Sequence, residues 1–495
     1  MEFLRSRQTS RILLALNVIL SIVYFVCVVW LFPIGNLPLF IFLILSEIFH
    51  VWQVATYIYT VWPRRIRHSF SKAFRPNVAI FITVCGEPAE IIEETVRAAL
   101  AIDYPVFSVY ILNDGKVANR SNWREAEVIA GRYGIRCITR TEPGGAKAGN
   151  INHALLETSE PYVVIFDADH IPVPSFLNET MGYFVDKNVA FVQSPQFYKN
   201  ADVNQVAGGS WEQQTLFFGP LLKGKDAINT AFMCGTNMVV RRVALEEVGG
   251  MSEKSIAEDF LTSLLIHSKK WKSVYVDKVL AEGLAPEDFL SYYKQQFRWA
   301  RGSLELLFSY NPLFMRGLRW AQRIQYLSSA SYYISGVIVL INAFLPLLYF
   351  FFAVKPLVVD TMVLALVFLP YIFVILYTLQ LTSNFTYTFR ALSFSLGSST
   401  IYLKALWHTI IRKKNGFAVT SKKRVSGNHG RLVAPHIIYI LIAIVGIAFG
   451  VMREGWSASM LSNSAWVFIY IAAFMPFIFA AFEKEKKLKL KKVAA

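Results

Sequence analysis

The sequence predicts an integral membrane protein with an α/β domain inserted between two N-terminal and four C-terminal membrane-spanning helices. Of its 495 residues, 54% are hydrophobic and only 17% are charged, whereas about a quarter of the residues in soluble domains are charged. Apolar runs long enough to cross a bilayer occur near both ends of the chain. Between them, short β-branched runs alternate with charged helical stretches, which is the pattern of a parallel sheet covered by helices.

The composition also limits the class of protein. It excludes a disordered chain, a collagen and a coiled coil. The formal net charge is +16, with 50 Lys and Arg against 34 Asp and Glu. Beside membrane spans, a basic excess is typical of the positive-inside rule, so we expect a lipid bilayer and no nucleic acid as partner. The four cysteines have no CxxC spacing, and neither a disulfide framework nor a zinc site is expected.

Two apolar segments precede the α/β domain, at residues 11–32 and 37–62. The first has no small-residue cleavage site and is interpreted as a retained anchor. The loop between the segments contains no Lys or Arg, whereas five basic residues follow the second one. The positive-inside rule therefore places the N-terminus and the domain in the cytoplasm of a multi-pass plasma-membrane protein. The five basic residues are Arg64, Arg65, Arg67, Lys72 and Arg75.

Four apolar segments follow the domain, and a basic tail after the last one is also predicted to be cytoplasmic. Residues 384–411 mix polar, basic and apolar side chains at helical spacing. We interpret them as an amphipathic helix in the membrane surface, with a seventh weak span as the alternative. The four segments are residues 324–354, 357–381, 434–452 and 465–482. The predicted divisions of the chain are 1–62, 63–320, 321–383, 384–432, 433–482 and 483–495.

The central domain is predicted to begin near Pro76 with βαβ units. A parallel sheet binds its ligands at the carboxyl ends of the strands, so functional residues are expected where strands end. The predicted strands are residues 78–84, 107–112, 162–166 and 273–276, and the predicted helices are 88–101, 122–133 and 146–156.

Carboxylates follow two of these strands. Asp167 and Asp169 come directly after the third predicted strand, and alternate residues of an extended strand share one face. Both carboxylates could approach one hard divalent cation, and such a cation could stabilise a leaving diphosphate. An Asp-x-Asp is common by itself, and a plain strand-end turn is the alternative. Asp114 follows the second strand and predicts a third acidic group in the same crevice.

Two helix starts are also candidates for the site. Residues 144–150, GGAKAGN, offer backbone N–H groups and the Lys147 ammonium to phosphate oxygens, although a simple helix start is the alternative. Glu258 and Asp259 open a later helix, where an acidic pair often only interacts with the helix dipole. If the pair points into the crevice, Asp259 is a candidate general base for a hydroxyl.

The segment 292–299, YYKQQFRW, combines aromatic, amide and basic side chains. Aromatic rings offer flat faces to sugars, and an arginine such as Arg298 binds a pyrophosphate bidentately. An aromatic belt at the membrane surface is the alternative interpretation.

In their order along the chain, NDG, GGAKAGN, DADH, FMCGTN, AEDF, QQFRW and FAVTSK resemble the motifs of processive family-2 glycosyltransferases, most closely bacterial cellulose synthases and related β-glucan synthases. The resemblance covers residues 76–430. It implies a cytoplasmic GT-A fold, a UDP-sugar donor, Mg²⁺ or Mn²⁺ as cofactor, and a nascent polysaccharide threaded through the protein's own channel.

The resemblance also implies roles for individual residues. Asp259, beside Glu258, corresponds to the catalytic base, and Asp167 and Asp169 correspond to metal ligands, with His170 as a helper. The other corresponding positions are Glu87, Asp114, Lys147, Asp167, Gln295 and Arg298 for the nucleotide, Trp299, Cys234, Gly235 and Thr236 for the acceptor, and Phe417, Val419, Thr420 and Lys422 for a gating loop.

Three departures from the family pattern are visible. Ala257 stands where the family has the threonine of Thr-Glu-Asp. Only two spans precede the domain, as in hyaluronan and capsule-type synthases. No cyclic-di-GMP-binding PilZ domain is expected after the last span, so that regulation by this nucleotide would need another subunit or be absent. The need for accessory subunits is left open.

The expected function is an inverting transfer of glucose from UDP-glucose to a growing β-glucan that is exported through the protein's own channel. The alternatives are another polysaccharide, either containing N-acetylglucosamine or hyaluronan-like, and a non-processive transferase for a lipid-linked acceptor. A transporter with a regulatory domain is disfavoured because the spans are nearly free of ionisable residues. Tyr332, Tyr333 and Tyr349 could line a channel, but ordinary helix packing explains them equally well.

Overall fold

The structure is a computed structural model that describes residues 10–66, 68–413 and 429–483. Within these ranges it has ten strands and eighteen α-helices. The strands are β1 Val78–Val84, β2 Phe107–Asn113, β3 Arg136–Thr139, β4 Tyr162–Asp167, β5 Ile171–Pro172, β6 Val189–Gln193, β7 Phe197–Tyr198, β8 Met238–Arg241, β9 Lys272–Tyr275 and β10 Ala281–Gly283.

The helices form three groups along the chain: two before the sheet, nine within the α/β domain and seven after it. They are α1 Arg11–Val26, α2 Leu37–Val61, α3 Ala89–Leu100, α4 Glu125–Arg132, α5 Ala146–Leu156, α6 Phe176–Thr180, α7 Gln205–Leu216, α8 Leu222–Asp226, α9 Arg242–Glu246, α10 Glu258–Ser268, α11 Phe289–Ser309, α12 Trp320–Ser331, α13 Ser335–Phe352, α14 Thr361–Thr382, α15 Phe389–Gly397, α16 Ser399–Ile410, α17 Gly430–Glu454 and α18 Ala458–Phe482.

The main sheet has seven strands in the order β3-β2-β1-β4-β8-β6-β9. The first four strands are parallel, as predicted, but β8 runs antiparallel to both β4 and β6. The sheet is therefore mixed: the predicted parallel arrangement holds for β3, β2, β1 and β4, and β8 departs from it. Met238, the first residue of β8, pairs with Ile165 near the end of β4, so β8 enters the sheet at the edge where β4 leaves it. A second sheet has the order β5-β10-β7.

Strand β1 shows how the sheet is stabilised, because all seven of its residues are buried. Successive side chains point to opposite faces. Ile80 and Ile82 pack with α3 and α4 on one face, and Phe81 packs with α5 on the other. Full burial of such a side chain contributes about 1.5–3 kcal/mol. The core therefore covers both faces of the sheet and leaves the strand ends open to ligands.

Six helical segments of the described residues are long and apolar enough to cross a membrane, two before the α/β domain and four after it. This number and order confirm the prediction. The spans carry few ionisable groups, but Glu47 in α2 is buried, with one carboxylate oxygen 3.6 Å from the Nδ1 of His50. The candidate spans are Arg11–Leu31, Leu37–Val61, Trp320–Phe352, Thr361–Thr382, Gly430–Glu454 and Ala458–Phe482.

The segment predicted as one amphipathic helix contains two. Helices α15 and α16 have 9 and 12 residues, which is too short for either to cross a bilayer. The chain breaks at Ser398, whose hydroxyl lies 2.9 Å from the hydroxyl of Tyr292 in α11. Arg390 of α15 forms an ion pair with Glu212 of α7 at 2.5 Å. These contacts hold the α/β domain against the helices that follow it.

Candidate active site

The acidic edge lies where β4 ends. Its last backbone N–H, that of Asp167, donates to the Thr236 hydroxyl at 2.9 Å. The chain then turns through Asp169 and His170, and one potential ligand atom from each of Asp167, Asp169 and His170 lies within 4.8 Å of the others. The Asp167 side chain is 37% exposed and that of Asp169 is fully buried. The structure thus brings together the two carboxylates that the sequence predicted to share a cation.

The donor set at this edge fits a divalent metal. Nδ1 of His170 lies 3.5 Å from Oδ1 of Asp169, and both ring nitrogens are buried without a hydrogen-bond partner among the described residues. Carboxylate oxygens suit Mg²⁺ and Mn²⁺, and an imidazole suits transition metals. Asp167, Asp169 and His170 are therefore the residues that could hold a metal here.

Lys147 connects the acidic edge to the start of α5. Its ammonium donates to Oδ1 of Asp167 and, at 2.7 Å, to the carbonyl of Gly235. Burial disfavours the charged forms of both Lys147 and Asp167, but their mutual attraction raises the pKa of Lys147 and lowers the pKa of Asp167. Gly145, with φ +63°, supplies the left-handed turn that starts the helix and aims Lys147. The pair is ionised at neutral pH.

Asp114 is already held by a cation that the sequence did not reveal. Arg140 binds it bidentately, Nε to Oδ1 at 2.9 Å and Nη2 to Oδ2 at 2.8 Å. Burial raises the pKa of Asp114, and Arg140 opposes this effect. Arg140 also donates to the Ala146 carbonyl at 3.2 Å. Asp114 thus lies at the expected edge, but as part of the framework that holds the GGAKAGN turn.

The acidic pair of α10 also reaches the crevice. A Cβ added to Gly235 would lie 3.2 Å from Oδ2 of Asp259 and 3.8 Å from Nζ of Lys147. The Asp259 carboxylate therefore lies beside the acidic edge, while its Oδ1 accepts the N–H of Phe260 at 2.7 Å. Burial and the neighbouring Glu258 raise the pKa of Asp259, and Lys147 and Arg298 oppose them. Burial likewise raises the pKa of Glu258.

The turn from Cys234 to Thr236 is fixed by an amide that sequence reasoning missed. Gln193 ends β6 and is fully buried. Its Nε2 donates to the Thr236 carbonyl at 2.8 Å, and its Oε1 accepts the N–H of Cys234 at 2.8 Å. These bonds hold Gly235 beside Lys147 and Asp259. No motif marked Gln193, because β6 was not predicted.

Helix α11 brings the aromatic and basic segment to the same place. It begins at Asp288, whose Oδ1 accepts the N–H of Ser291 at 2.8 Å, an ordinary N-cap. One turn beyond Trp299, which is half-buried, a Cβ added to Gly302 would lie 2.5 Å from the Cβ of Ala257. These two small residues let α11 pack directly against the start of α10.

Two further side chains of α11 were predicted to bind the nucleotide. Gln295 is buried. Arg298 lies close enough to the acidic pair to lower the pKa of both Glu258 and Asp259.

Glu87 follows β1 and accepts the N–H of Cys85 at 2.5 Å. The predicted gating-loop positions Phe417, Val419, Thr420 and Lys422 lie outside the described residues.

Sequence comparison identifies two families. The model described as "Glycosyltransferase like family 2" matches residues 76–302, and the model described as "Cellulose synthase" matches residues 246–393. The chain is 30% identical over 418 residues to the cellulose synthase catalytic subunit [UDP-forming] of Pseudomonas fluorescens, an alignment that covers 81% of this chain and 55% of that protein. It is 31% identical over 440 residues to cellulose synthase 1 of Komagataeibacter xylinus, with 85% of this chain and 28% of that protein covered.

The chain thus spans about half or less of the length of these relatives. Among solved structures, a mannosyltransferase from Pyrobaculum calidifontis, in complex with GDP-Man and Mn²⁺, is similar at 17% identity and a TM-score of 0.48, covering 81% of this chain and all of that one. The first family match covers the strands of the main sheet and the acidic edge, and the predicted GT-A fold is confirmed. Residues 76–302 thus match the family-2 glycosyltransferases, and the chain is similar to the cellulose synthases.

Proposed function

We propose that this protein is a processive, inverting glycosyltransferase that polymerises glucose from UDP-glucose into a β-glucan. The observation that supports it most is the convergence of Asp167, Asp169, Lys147 and Asp259 in one crevice next to α11. This set combines groups for a diphosphate with a carboxylate for an attacking hydroxyl. The similarity to relatives named as UDP-forming cellulose synthases supports UDP-glucose as the donor.

The donor is bound by charge. The Lys147 ammonium and the Arg298 guanidinium offer N–H donors to the diphosphate, and arginine suits it because its fork geometry matches two oxygens. Asp167, Asp169 and His170 would hold Mg²⁺ or Mn²⁺, which supplies positive charge opposite the leaving group when bound. Since Asp167 is paired with Lys147, this side of the crevice is charged and oriented before the donor arrives.

The acceptor hydroxyl loses its proton to Asp259 as its oxygen attacks the anomeric carbon. The bond from that carbon to the UDP oxygen breaks in the same step, so the configuration inverts and no covalent enzyme intermediate forms. A carboxylate with a raised pKa is a better proton acceptor near neutral pH than an ordinary aspartate. Trp299 and the turn from Cys234 to Thr236 would hold the terminal sugar, and positioning of this kind lowers the barrier.

Export follows from where the acceptor would lie. The crevice adjoins α11, and Tyr402 of α16 donates to Gln296 of α11 at 3.3 Å, which supports a product end that faces the helical bundle. We propose that the polymer leaves through this bundle into the space across the plasma membrane. The basic residues around the spans support a cytoplasmic α/β domain. Tyr332 and Tyr333, with ring centroids 5.3 Å apart beside α16, are candidates for the path.

The test is release of UDP by the purified protein in lipid nanodiscs with each UDP-sugar, with and without Mg²⁺ or Mn²⁺. Metal-dependent turnover confined to UDP-glucose, giving a large product that a linkage-specific glucanase digests, is the expected result. Turnover with another UDP-sugar alone would keep the chemistry and replace the product by a different polysaccharide. Transfer of single sugars to a lipid would contradict processive synthesis. Reconstitution in sealed vesicles then tests export, since a translocated polymer is protected from added glucanase.

A further inference from the structure

The loop from β2 to α4 closes over the turn that follows β1. The N–H of Asp114, the first residue of the loop, donates to the carbonyl of Val84 at 2.8 Å. Farther along, Nδ2 of Asn122 donates to the carbonyls of Gly86 at 3.3 Å and Glu87 at 3.0 Å. These bonds fix both ends of the loop against the carboxyl end of β1, which is the donor side of the crevice.

Arg120 crosses Gly86 within this loop. A Cβ added to Gly86 would lie 2.5 Å from Cγ and 2.8 Å from Cβ of Arg120. Gly86 has φ +84°, so the absence of a side chain serves both the turn and the close approach of the arginine. Arg120 lies near the thiol of Cys85. Burial raises the pKa of this thiol to about 11, and Arg120 opposes the increase. The aliphatic stem of Arg120 thus lies against Gly86 at the carboxyl end of β1.

The neighbouring polar groups are committed to other partners. One oxygen of Glu87 accepts the N–H of Cys85, and both oxygens of Asp114 accept from Arg140. Arg120 is exposed and forms no ion pair within residues 10–66, 68–413 and 429–483. A planar guanidinium stacks on flat π systems and donates to carbonyl oxygens, and a uracil offers both a face and carbonyls.

We propose that Arg120 is a nucleotide-binding residue that covers the nucleobase of the donor by stacking on its face. This inference rests on the proposed function, because it assumes a nucleoside diphosphate sugar in the crevice. The phosphates are bound elsewhere, by Lys147 and Arg298, so Arg120 acts on the base end alone. Its loss therefore weakens binding of nucleotides that contain a base and leaves pyrophosphate binding unchanged.

The test is isothermal titration of the full-length protein in nanodiscs with UDP and, separately, with inorganic pyrophosphate, both in the presence of Mg²⁺. The variants are Arg120→Ala and Arg120→Lys, the second of which keeps the charge and removes the plane. Arg124→Ala is the matched control, since Arg124 lies in the same loop region with its guanidinium 5.2 Å from the Trp123 ring. We expect Arg120→Ala to weaken UDP binding about tenfold, Arg120→Lys to recover less than half of that loss in binding free energy, and Arg124→Ala to have less than a twofold effect.

Each other result contradicts a defined part of the inference. Equal UDP affinity in Arg120→Ala and the wild type would overturn it while leaving the proposed function intact. An equal loss for UDP and pyrophosphate would show that Arg120 binds phosphate, and full recovery in Arg120→Lys would show that charge alone matters. Absence of UDP binding in the wild type would instead overturn the proposed function, and this inference with it.

Discussion

The two sides of the crevice are built differently. The donor side, formed by the ends of β1, β2 and β4 together with Lys147, contains opposite charges in contact, as in the pairs Lys147–Asp167 and Arg140–Asp114. The base side, formed by the start of α10, contains two adjacent carboxylates, Glu258 and Asp259, whose pKa values burial raises. Paired charges orient a ligand without changing protonation, whereas crowded carboxylates favour taking up a proton. The donor side is therefore suited to binding the nucleotide sugar, and the base side is suited to taking up a proton.

The two sides also differ in what holds them. The donor side is fixed by the hydrogen bonds of the sheet. Helix α10 also has contacts with α12, the start of the third span: Nδ1 of His267 lies 2.8 Å from the Tyr326 hydroxyl, and the ring of Phe260 lies 5.3 Å from that of Tyr326. The residue proposed as base is thus connected to the membrane bundle through its own helix.

Replacing the proposed base should separate the two sides most strongly. In Asp259→Asn the amide cannot take up a proton, so the rate of UDP release with UDP-glucose should fall about 10²–10⁴-fold. Affinity for UDP, measured by titration calorimetry, should change less than threefold because the donor side is intact. Glu246→Gln, at an exposed position of α9, is the control and should keep full activity. Retained synthesis in Asp259→Asn would contradict the role of Asp259 as the base.

Breaking the Lys147–Asp167 pair should instead lower the affinity for UDP. Lys147→Met removes the ammonium proposed to bind the diphosphate and leaves the negative charge of Asp167 without its partner, so that this carboxylate repels the diphosphate. UDP affinity should therefore fall about thirtyfold or more. Lys199→Met, which removes the exposed Lys199–Glu94 pair at 2.9 Å, should change it less than twofold. Unaltered UDP binding by Lys147→Met would show that the donor side does not bind the diphosphate through this residue.

The difference between the donor side and the base side also explains which site residues could be predicted from the sequence. The donor side was predictable because its residues belong to short motifs that follow recognisable strands, as Asp167 follows the apolar run of β4. Arg140 was missed because the preceding strand, β3, has only four residues and no clear alternation. Gln193 was missed because β6 is also short, with five residues, and shows no clear alternation. Local pattern assigns residues to elements, but it does not tell which distant side chains meet.

The base side was harder to predict for a physical reason. An acidic pair in the first turn of a helix is favourable there through its interaction with the helix dipole, whether or not it also serves in a site. The direction of Asp259 could therefore not be deduced from α10 alone. In the structure the start of α10 lies against α11 through the close approach of Ala257 to Gly302, a contact between distant residues that no local pattern marks. The reversed strand β8 was missed likewise, since direction within a sheet depends on where the preceding loop ends.

The pH dependence of transfer tests the electrostatics of the base side. Asp259 must be ionised to accept a proton, and its pKa is raised, so the rate should fall with decreasing pH at a higher pH than for an ordinary aspartate. Glu258→Gln removes one like charge, which lowers the pKa of Asp259 and should move this acid limb to lower pH. The profile of kcat for UDP release is the measurement. A limb that stays in place in Glu258→Gln would show that Glu258 does not act on Asp259.

The smallest predicted effect concerns the attachment of α10 to the membrane bundle. Tyr326→Phe keeps the ring against Phe260 but removes the hydroxyl bonded to His267, and a lost hydrogen bond in a buried site costs about 1–3 kcal/mol. Tyr104→Phe is the matched change away from the crevice, because the Tyr104 hydroxyl donates to the Pro76 carbonyl at 2.9 Å. Both variants should lower the thermal unfolding midpoint by a few degrees.

Only Tyr326→Phe should also lower the rate of UDP release, by about twofold to fivefold, because only Tyr326 holds the helix that carries Asp259. KM for UDP-glucose should stay unchanged in both variants, since neither touches the donor side. If both variants lost stability and neither lost rate, the contact between α12 and α10 would be structural alone. If Tyr104→Phe lowered the rate as much as Tyr326→Phe, the rate would depend on the stability of the whole domain. The separation between a rigid donor side and a base side tied to the membrane would then be wrong.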